Sequence, residues 1–436
     1  MFPGSDRQFD ILEPTVDAET GVVVLHYAAG ADLFAEQWSI GPFPSEQLEA
    51  AQRAARILAV CGSTSYYKAL YGATVHVEFD ASTELLAGLL GPGLAEFRFE
   101  NGYGIDHVPA ISTGATSRYE PRASSAPAAT SLVALGGGKD SIVAATALRQ
   151  TGRAVTLGSI NPKSPMTWSS QALALPLLDI GRRIDPRLFE LNRQGAPNGH
   201  IPITAITSAG LVVAAVAHGF EEVVFANESS ASVPTFFTAD GLAVNHQYSK
   251  SHSFERLFRS ELLRHGLPVM YYSAIRGLTE LAVCKVMADL PPTIQESFTS
   301  CNTNFNLAGT GRAADDRWCG ECSKCAFVFL SLAPFVGRGQ LVKIFGKDLF
   351  TDPALEPMYQ ALAAEVGVRP LECIGTTEEV RWALRRAHES GEWVDADMLA
   401  RLALTHAESD GFDPFATTAS DAPVEVQQAL AALVDS

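Results

Sequence analysis

The chain has 436 residues, 47% of them hydrophobic and 19% charged, which is enough apolar material for a large core and for two or three domains. A formal net charge of −17 and an isoelectric point near 5.0 argue against nucleic-acid binding, which needs a basic footprint. The start, Met1-Phe2-Pro3-Gly4-Ser5-Asp6-Arg7, lacks a charged stretch leading into an apolar one, and no apolar run is long enough to span a membrane. The expectation is a cytoplasmic, soluble protein with no nucleic-acid or membrane partner; self-association into a homo-oligomer is left open.

Residues 1–114 read as an N-terminal α+β domain. Val22–Tyr27 and Ala73–Phe79 have the β-branched content of strands, and Leu48–Leu58 has helical apolar spacing with Ser45 as a candidate cap. Residues 115–130 are rich in Ser, Ala and Pro and read as a linker. Strands and helices then alternate over 131–345, the pattern of a mostly parallel sheet with helices on both faces. Ala154–Gly158 and Glu222–Asn227 are strands in this reading, and Ile203–Val216 is a helix. Residues 346–436 form a helical C-terminal region, with helices at Val380–His388, Asp397–His406 and Val424–Val434.

Within that pattern, Leu132-Val-Ala-Leu135 is a buried-strand sequence, Gly136-Gly137-Gly138 follows, and Lys139-Asp140-Ser141 opens a helix. Strand, glycine turn and helix make a phosphate-binding geometry, because backbone N–H groups converge and the helix N-terminus favours an anion. Lys139 adds a full charge, Asp140 is placed to hold Mg2+, and Ser141 is placed to cap the helix or to donate to an oxygen. The spacing is neither that of a Walker loop nor Gly-x-Gly-x-x-Gly. The loop resembles that of the PP-loop ATP pyrophosphatases, with Gly136 where that family usually has Ser. The expected fold class is therefore α/β: a PP-loop (adenine nucleotide alpha hydrolase-like) sheet, with the N-terminal α+β domain and the helical C-terminal region attached.

Cys319, Cys322 and Cys325 stand at two-residue gaps, with Cys301 upstream. Such gaps let a tight turn, here with Gly320, deliver two thiolates to one ion, and four thiolates suit a structural Zn2+ with no open position. An iron–sulfur cluster and buried inert thiols are the alternatives, and Cys301 could instead be a catalytic thiol. The same pairing of loop and cysteines occurs in 7-cyano-7-deazaguanine synthase.

Further runs narrow the resemblance. Phe189-Glu-Leu-Asn-Arg-Gln-Gly195, Asn198-Gly-His-Ile-Pro202, Phe225-Ala-Asn-Glu-Ser-Ser-Ala231 and Val244-Asn-His-Gln-Tyr-Ser-Lys250 are four of them. Ser300-Cys-Asn-Thr-Asn-Phe305, Arg317-Trp-Cys-Gly-Glu-Cys-Ser-Lys-Cys325, Ile344-Phe-Gly346 and Glu372-Cys-Ile-Gly375 complete the set. With the glycine loop, these make residues 8–390 similar to the UDP-N-acetyl-alpha-D-muramoyl-L-alanyl-L-glutamate epimerase family of bacterial peptidoglycan-precursor enzymes.

The resemblance implies ATP- and Mg2+-dependent inversion of the terminal glutamate of UDP-MurNAc-L-Ala-L-Glu, with AMP and diphosphate released. The chemistry is coherent: adenylylating the α-carboxylate removes its charge and acidifies the adjacent C–H, either directly or through an oxazolone. Gly136, Gly137, Gly138, Lys139, Asp140 and Ser141 would hold the phosphates. Inversion asks for two acid/base groups, for which His200, His246, Lys250 and Cys301 are candidates, with His252 nearby. Arg193, Asn227, Glu228, Asn245 and Arg317 are candidate substrate contacts. Two competing expectations are an amide- or nitrile-forming PP-loop enzyme and a non-catalytic zinc-stabilised binding module.

Overall fold

The computed structural model describes residues 7–115, 119, 129–305, 317–364, 370, 374–406 and 411–436. Most of the expected linker, and Glu372 and Cys373 of one matched run, lie outside the described residues. The strands in chain order are β1 (Gln8–Asp17), β2 (Val22–Ala29), β3 (Asp32–Ser39), β4 (Thr74–Val77), β5 (Ile111–Thr113), β6 (Thr130–Ala134), β7 (Ala154–Ile160), β8 (Leu177–Arg183), β9 (Glu222–Phe225), β10 (Phe236–Phe237), β11 (Ala243–Val244) and β12 (Met270–Ser273). Ten of them form one mixed sheet in the order β12-β9-β6-β7-β8-β3-β2-β1-β4-β5, and β10 and β11 make a separate hairpin.

The run β12-β9-β6-β7-β8 is parallel throughout, as the alternating pattern predicts. Its central strands β6 and β9 are buried on both faces because both faces are covered. Leu132, Val223 and Tyr271 turn to one side, where helices Leu48–Tyr67, Ile203–His218 and His252–Arg264 pack. Val133, Val224 and Tyr272 turn to the other, against helices Lys139–Gln150, Glu280–Asp289, Ser323–Leu332 and Thr377–Glu389. The architecture is therefore α/β with a helical C-terminal region.

The sheet does not stop at the end of the N-terminal segment. β3 pairs antiparallel with β8, matching Gln37 to Arg183 and Ser39 to Gly181, so the β1–β3 meander continues the parallel sheet. The seam is pinned by a buried carboxylate. Glu36 on β3 accepts from Arg182 on β8 at 2.8 Å, from the Trp38 indole at 2.9 Å and from the Tyr66 hydroxyl at 3.0 Å. One local expectation changes: Ser45 opens a short 3-10 turn, while the long helix starts at Leu48 after Gln47, with no side-chain cap.

The parallel topology brings the C-terminal ends of β6, β9 and β12 side by side, where open α/β sheets bind ligands. The glycine loop leaves β6, Asn227-Glu228 leaves β9, and the segment to Arg276 and Glu280 leaves β12. Among the described residues no helix is long and apolar enough to cross a membrane.

Removing Arg182 would strand Glu36, which is fully buried, with only neutral donors. Arg182→Met is expected to lower the unfolding free energy by about 3–5 kcal/mol in urea titrations. A change of less than about 1 kcal/mol would mean that the β3–β8 seam does not depend on this pair.

Candidate active site

The loop forms as the sequence implies. Gly137 has φ +81°, and a Cβ there would lie 2.9 Å from Pro165, so both conformation and space require glycine. Its carbonyl accepts from the Thr299 N–H at 3.0 Å, which ties the loop to the segment leading to Cys301. Gly136 has open space around its Cα, so glycine in place of the usual Ser is not forced by packing. Ser141 donates to the Gly138 carbonyl at 2.9 Å and so closes the first helical turn.

Lys139 is 3% exposed, and its ammonium sits 2.5 Å from Asp140 and 2.7 Å from Glu280. Burial alone would lower its pKa, but the two carboxylates hold it well above the usual lysine value. Burial would raise Asp140, yet Lys139, with help from Lys324 and Lys250, keeps it below its usual value. Glu228 is raised by burial and by Asp140, and its carboxylate is occupied in part, accepting from the Ala231 N–H and the Ser230 hydroxyl. Asn227 is locked through its backbone, donating to and accepting from the Ser273 hydroxyl at 2.7 Å each.

Two residues that the sequence reading passed over organise this group. Glu280 begins its helix beneath Lys139, and its N–H donates at 2.7 Å to Glu379 of the C-terminal region. Arg276, 1% exposed, donates to the Glu228 carbonyl, the Lys250 carbonyl and the Glu255 carboxylate. It thereby brackets the segments that carry Glu228 and Lys250. A charge in an apolar setting is costly unless paired, so Glu280 ahead of Leu281-Ala-Val-Cys284 was a readable signal.

The four thiols converge. The ligand atoms of Cys301, Cys319, Cys322 and Cys325 lie within 4.8 Å of one another, and Gly320, at φ +69°, makes the expected turn. Backbone N–H groups of Gly320 and Cys322 point at Cys325 and Cys319 sulfurs at 3.4 and 3.3 Å, which favours thiolates. This donor set could hold a tetrahedral Zn2+. Cys301 is a corner of this cluster.

A second polar group gathers Glu96, His200 and His246 within the same 4.8 Å limit. His246 Nδ1 is 2.7 Å from Glu96, His200 Nδ1 is 3.8 Å from it, and the rings are 4.6 Å apart. Burial lowers His200 to about 4, which leaves it neutral at ordinary pH. Lys68, lowered to about 8 by burial, donates to the Asn198 side chain and, at 3.1 Å, to the Gly199 carbonyl, fixing the His200 segment. Arg276, which donates to the Glu228 and Lys250 carbonyls, ties the segment carrying His246 and Lys250 to the strand end beside the loop, and the Lys250 charge acts on both His200 and Asp140. Glu96 and Lys68 were also missed; the pair Glu96 and Glu100, one helical turn apart in an apolar segment, was the available sign.

The other expected contacts are placed differently. Arg193 pairs with Glu190 on its own helix, with its side chain 74% exposed. Asn245 spends its side chain inside the fold, donating to the Ala231 carbonyl and accepting from the Gln247 N–H. Arg317 stacks on Trp168 at 4.7 Å, on the helix whose Pro165 abuts Gly137. His252 pairs with Asp421 at 3.0 Å.

Burial pushes the Glu280 carboxyl from 4.5 up to about 7, against the pull of Lys139. A raised folded pKa gives stability that is full below the unfolded value and lost as pH rises through the folded one. Urea midpoints should therefore fall more steeply for the wild-type chain than for Glu280→Gln between about pH 5 and about pH 8. Parallel profiles would show that Glu280 does not titrate in this window.

Comparison with known proteins places this geometry. The chain matches the family models for the MurL N-terminal domain over residues 2–274 and the MurL C-terminal domain over residues 297–413. The first takes in the whole ten-stranded sheet with the glycine loop, and the second takes in the four cysteines. UDP-N-acetyl-alpha-D-muramoyl-L-alanyl-L-glutamate epimerase from Xanthomonas oryzae pv. oryzae is 38% identical over 408 residues, covering 90% of this chain and 88% of that protein. The enzymes of that name from Salinispora tropica (38% identical, 88% of this chain and 86% of that one) and Micromonospora sp. (37% identical, 89% and 88%) are similar to the same extent. No solved structure matches. The chain belongs to the UDP-N-acetyl-alpha-D-muramoyl-L-alanyl-L-glutamate epimerase (MurL) family.

Proposed function

We propose that this protein inverts the terminal L-Glu of UDP-MurNAc-L-Ala-L-Glu to D-Glu, using ATP and Mg2+ and releasing AMP and diphosphate. The observation that carries the reading is similarity to epimerases of that name across about nine-tenths of the chain, combined with a phosphate-type loop at the strand ends. In this account the fold is that of a PP-loop ATP pyrophosphatase, and the N–H groups of Gly136–Ser141 cradle the phosphates of ATP. Lys139 neutralises charge on the departing diphosphate, and Asp140 is the carboxylate that would hold Mg2+ on it.

The α-carboxylate of glutamate attacks the α-phosphorus of ATP and displaces diphosphate. The resulting acyl phosphate carries no carboxylate charge, so the adjacent C–H can lose its proton. His200, His246 and Lys250 are the proton-carrying candidates. Reprotonation from the opposite face and attack of water on the acyl carbon give the D-epimer and AMP. Asn227, Glu228 and Arg317 flank the loop and fit the role of substrate contacts better than Arg193 and Asn245 do.

The purified chain with UDP-MurNAc-L-Ala-L-Glu, ATP and Mg2+ should yield AMP and, after acid hydrolysis, D-glutamate. Folded protein that forms no D-glutamate would overturn the proposal. Consumption of an amine with AMP release and unchanged stereochemistry would point instead to an amide-forming enzyme.

We also propose that the four cysteines hold a structural Zn2+. Cys322→Ser should lose the bound zinc on metal analysis and unfold at lower urea. An equal zinc content in variant and wild type would refute this assignment.

A further inference from the structure

The glutamate Cα must lie one bond from the carboxyl that reaches the loop, so the groups that move its proton have to flank the loop without belonging to it. Among the described residues, one group outside the loop gathers a carboxylate and two imidazoles. Glu96 is 5% exposed and comes from helix Ala95–Glu100, His200 from the segment before helix Ile203–His218, and His246 from the turn after β11. Three separate segments thus deliver a carboxylate and two imidazoles to one place. The Lys68 bonds to Asn198 and Gly199 and an Asn101 bond to the Asn198 carbonyl at 3.0 Å hold the first imidazole. The His246 N–H donates to the Thr235 hydroxyl at 3.0 Å and holds the second.

His246 and Lys250 share one stiff turn. Tyr248 N–H donates to the Asn245 carbonyl at 3.1 Å, Lys250 N–H donates to the Gln247 carbonyl at 2.7 Å, and Arg276 grips the Lys250 carbonyl. A residue pair on a rigid turn can keep a fixed separation across a small reacting carbon. Arg276 donates to the carbonyls of both Glu228 and Lys250, so the turn that carries His246 and Lys250 is tied to the strand end beside the loop, and the Lys250 charge is felt at Asp140, Glu228 and His200.

We infer that His246 and Lys250 are the two opposed acid/base residues for Cα, and that Glu96 is the positioning residue that orients His246 through Nδ1. The inference rests on the activation chemistry proposed above. In one direction, Nε2 of neutral His246 takes the Cα proton, and the C–H electron pair passes into the enolate of the acyl phosphate. That pair returns to Cα as the Lys250 ammonium donates a proton to the opposite face. The reverse direction uses the same two groups in exchanged roles. The imidazolium and the neutral amine then re-equilibrate with solvent. Glu96 stabilises the imidazolium, and neutral His200 beside it adds a polar wall that carries no competing charge.

The test is deuterium incorporation at Cα in deuterium oxide, starting separately from the L- and the D-epimer of the substrate, with ATP–diphosphate exchange measured in parallel. His246→Asn should cut incorporation from one epimer by at least about a hundredfold and Lys250→Met from the other, while each leaves the second epimer exchanging. Glu96→Gln should slow incorporation from the same epimer as His246→Asn. Equal loss from both epimers in both variants, or loss in neither, would overturn the assignment. So would a divalent metal ion that is bound by the wild type and lost in Glu96→Gln, because it would make the group a ligand set. Incorporation that needs no ATP yet is still divided between the variants would sink the adenylylation reading and keep this one.

Discussion

An ammonium with almost no contact with water must have carboxylates, and Lys139 meets that constraint with Asp140 beside it in sequence and Glu280 from across the sheet end. Much of the molecule follows from that pairing. Glu280 can sit there because Thr279 caps its helix and Glu379 receives its N–H. Glu379 in turn closes a capping box with Thr376 at the start of helix Thr377–Glu389. The C-terminal region therefore reaches the loop lysine through two hydrogen-bonded helix starts, and it is part of the wall behind the site.

The cysteine cluster acts on the same place from another direction. Cys322 ends a knuckle and begins helix Ser323–Leu332, which carries Lys324, a charge that helps Lys139 keep Asp140 below its usual value and opposes the rise of Glu280. Thr299, two residues ahead of Cys301, donates to the loop backbone at Gly137. A structural ion at the four sulfurs would thus fix both a charge and a backbone contact of the loop.

What could be read from the sequence was what depends on local pattern. The glycine loop, the parallel strands around it and the thiol spacing each follow from a few adjacent residues with one physical reason. The β3–β8 seam could not be read, because Leu177-Leu-Asp-Ile-Gly-Arg-Arg183 has neither clean alternation nor a β-branched run, and its partner lies far away in the chain. Glu96, Glu280 and Arg276 were missed for a related reason: their roles depend on burial and on partners from other segments. Arg193 and Asn245 show the converse. They sit in distinctive runs, but their side chains serve a surface pair and a turn.

The central claim is that ATP activates the α-carboxylate of the substrate glutamate. The direct test labels that carboxylate with oxygen-18 and follows the label in a single turnover in ordinary water. Water attacking the acyl carbon leaves the bridging oxygen on phosphorus, so the account predicts AMP carrying one oxygen-18 atom together with inverted glutamate. Unlabelled AMP alongside D-glutamate would contradict it.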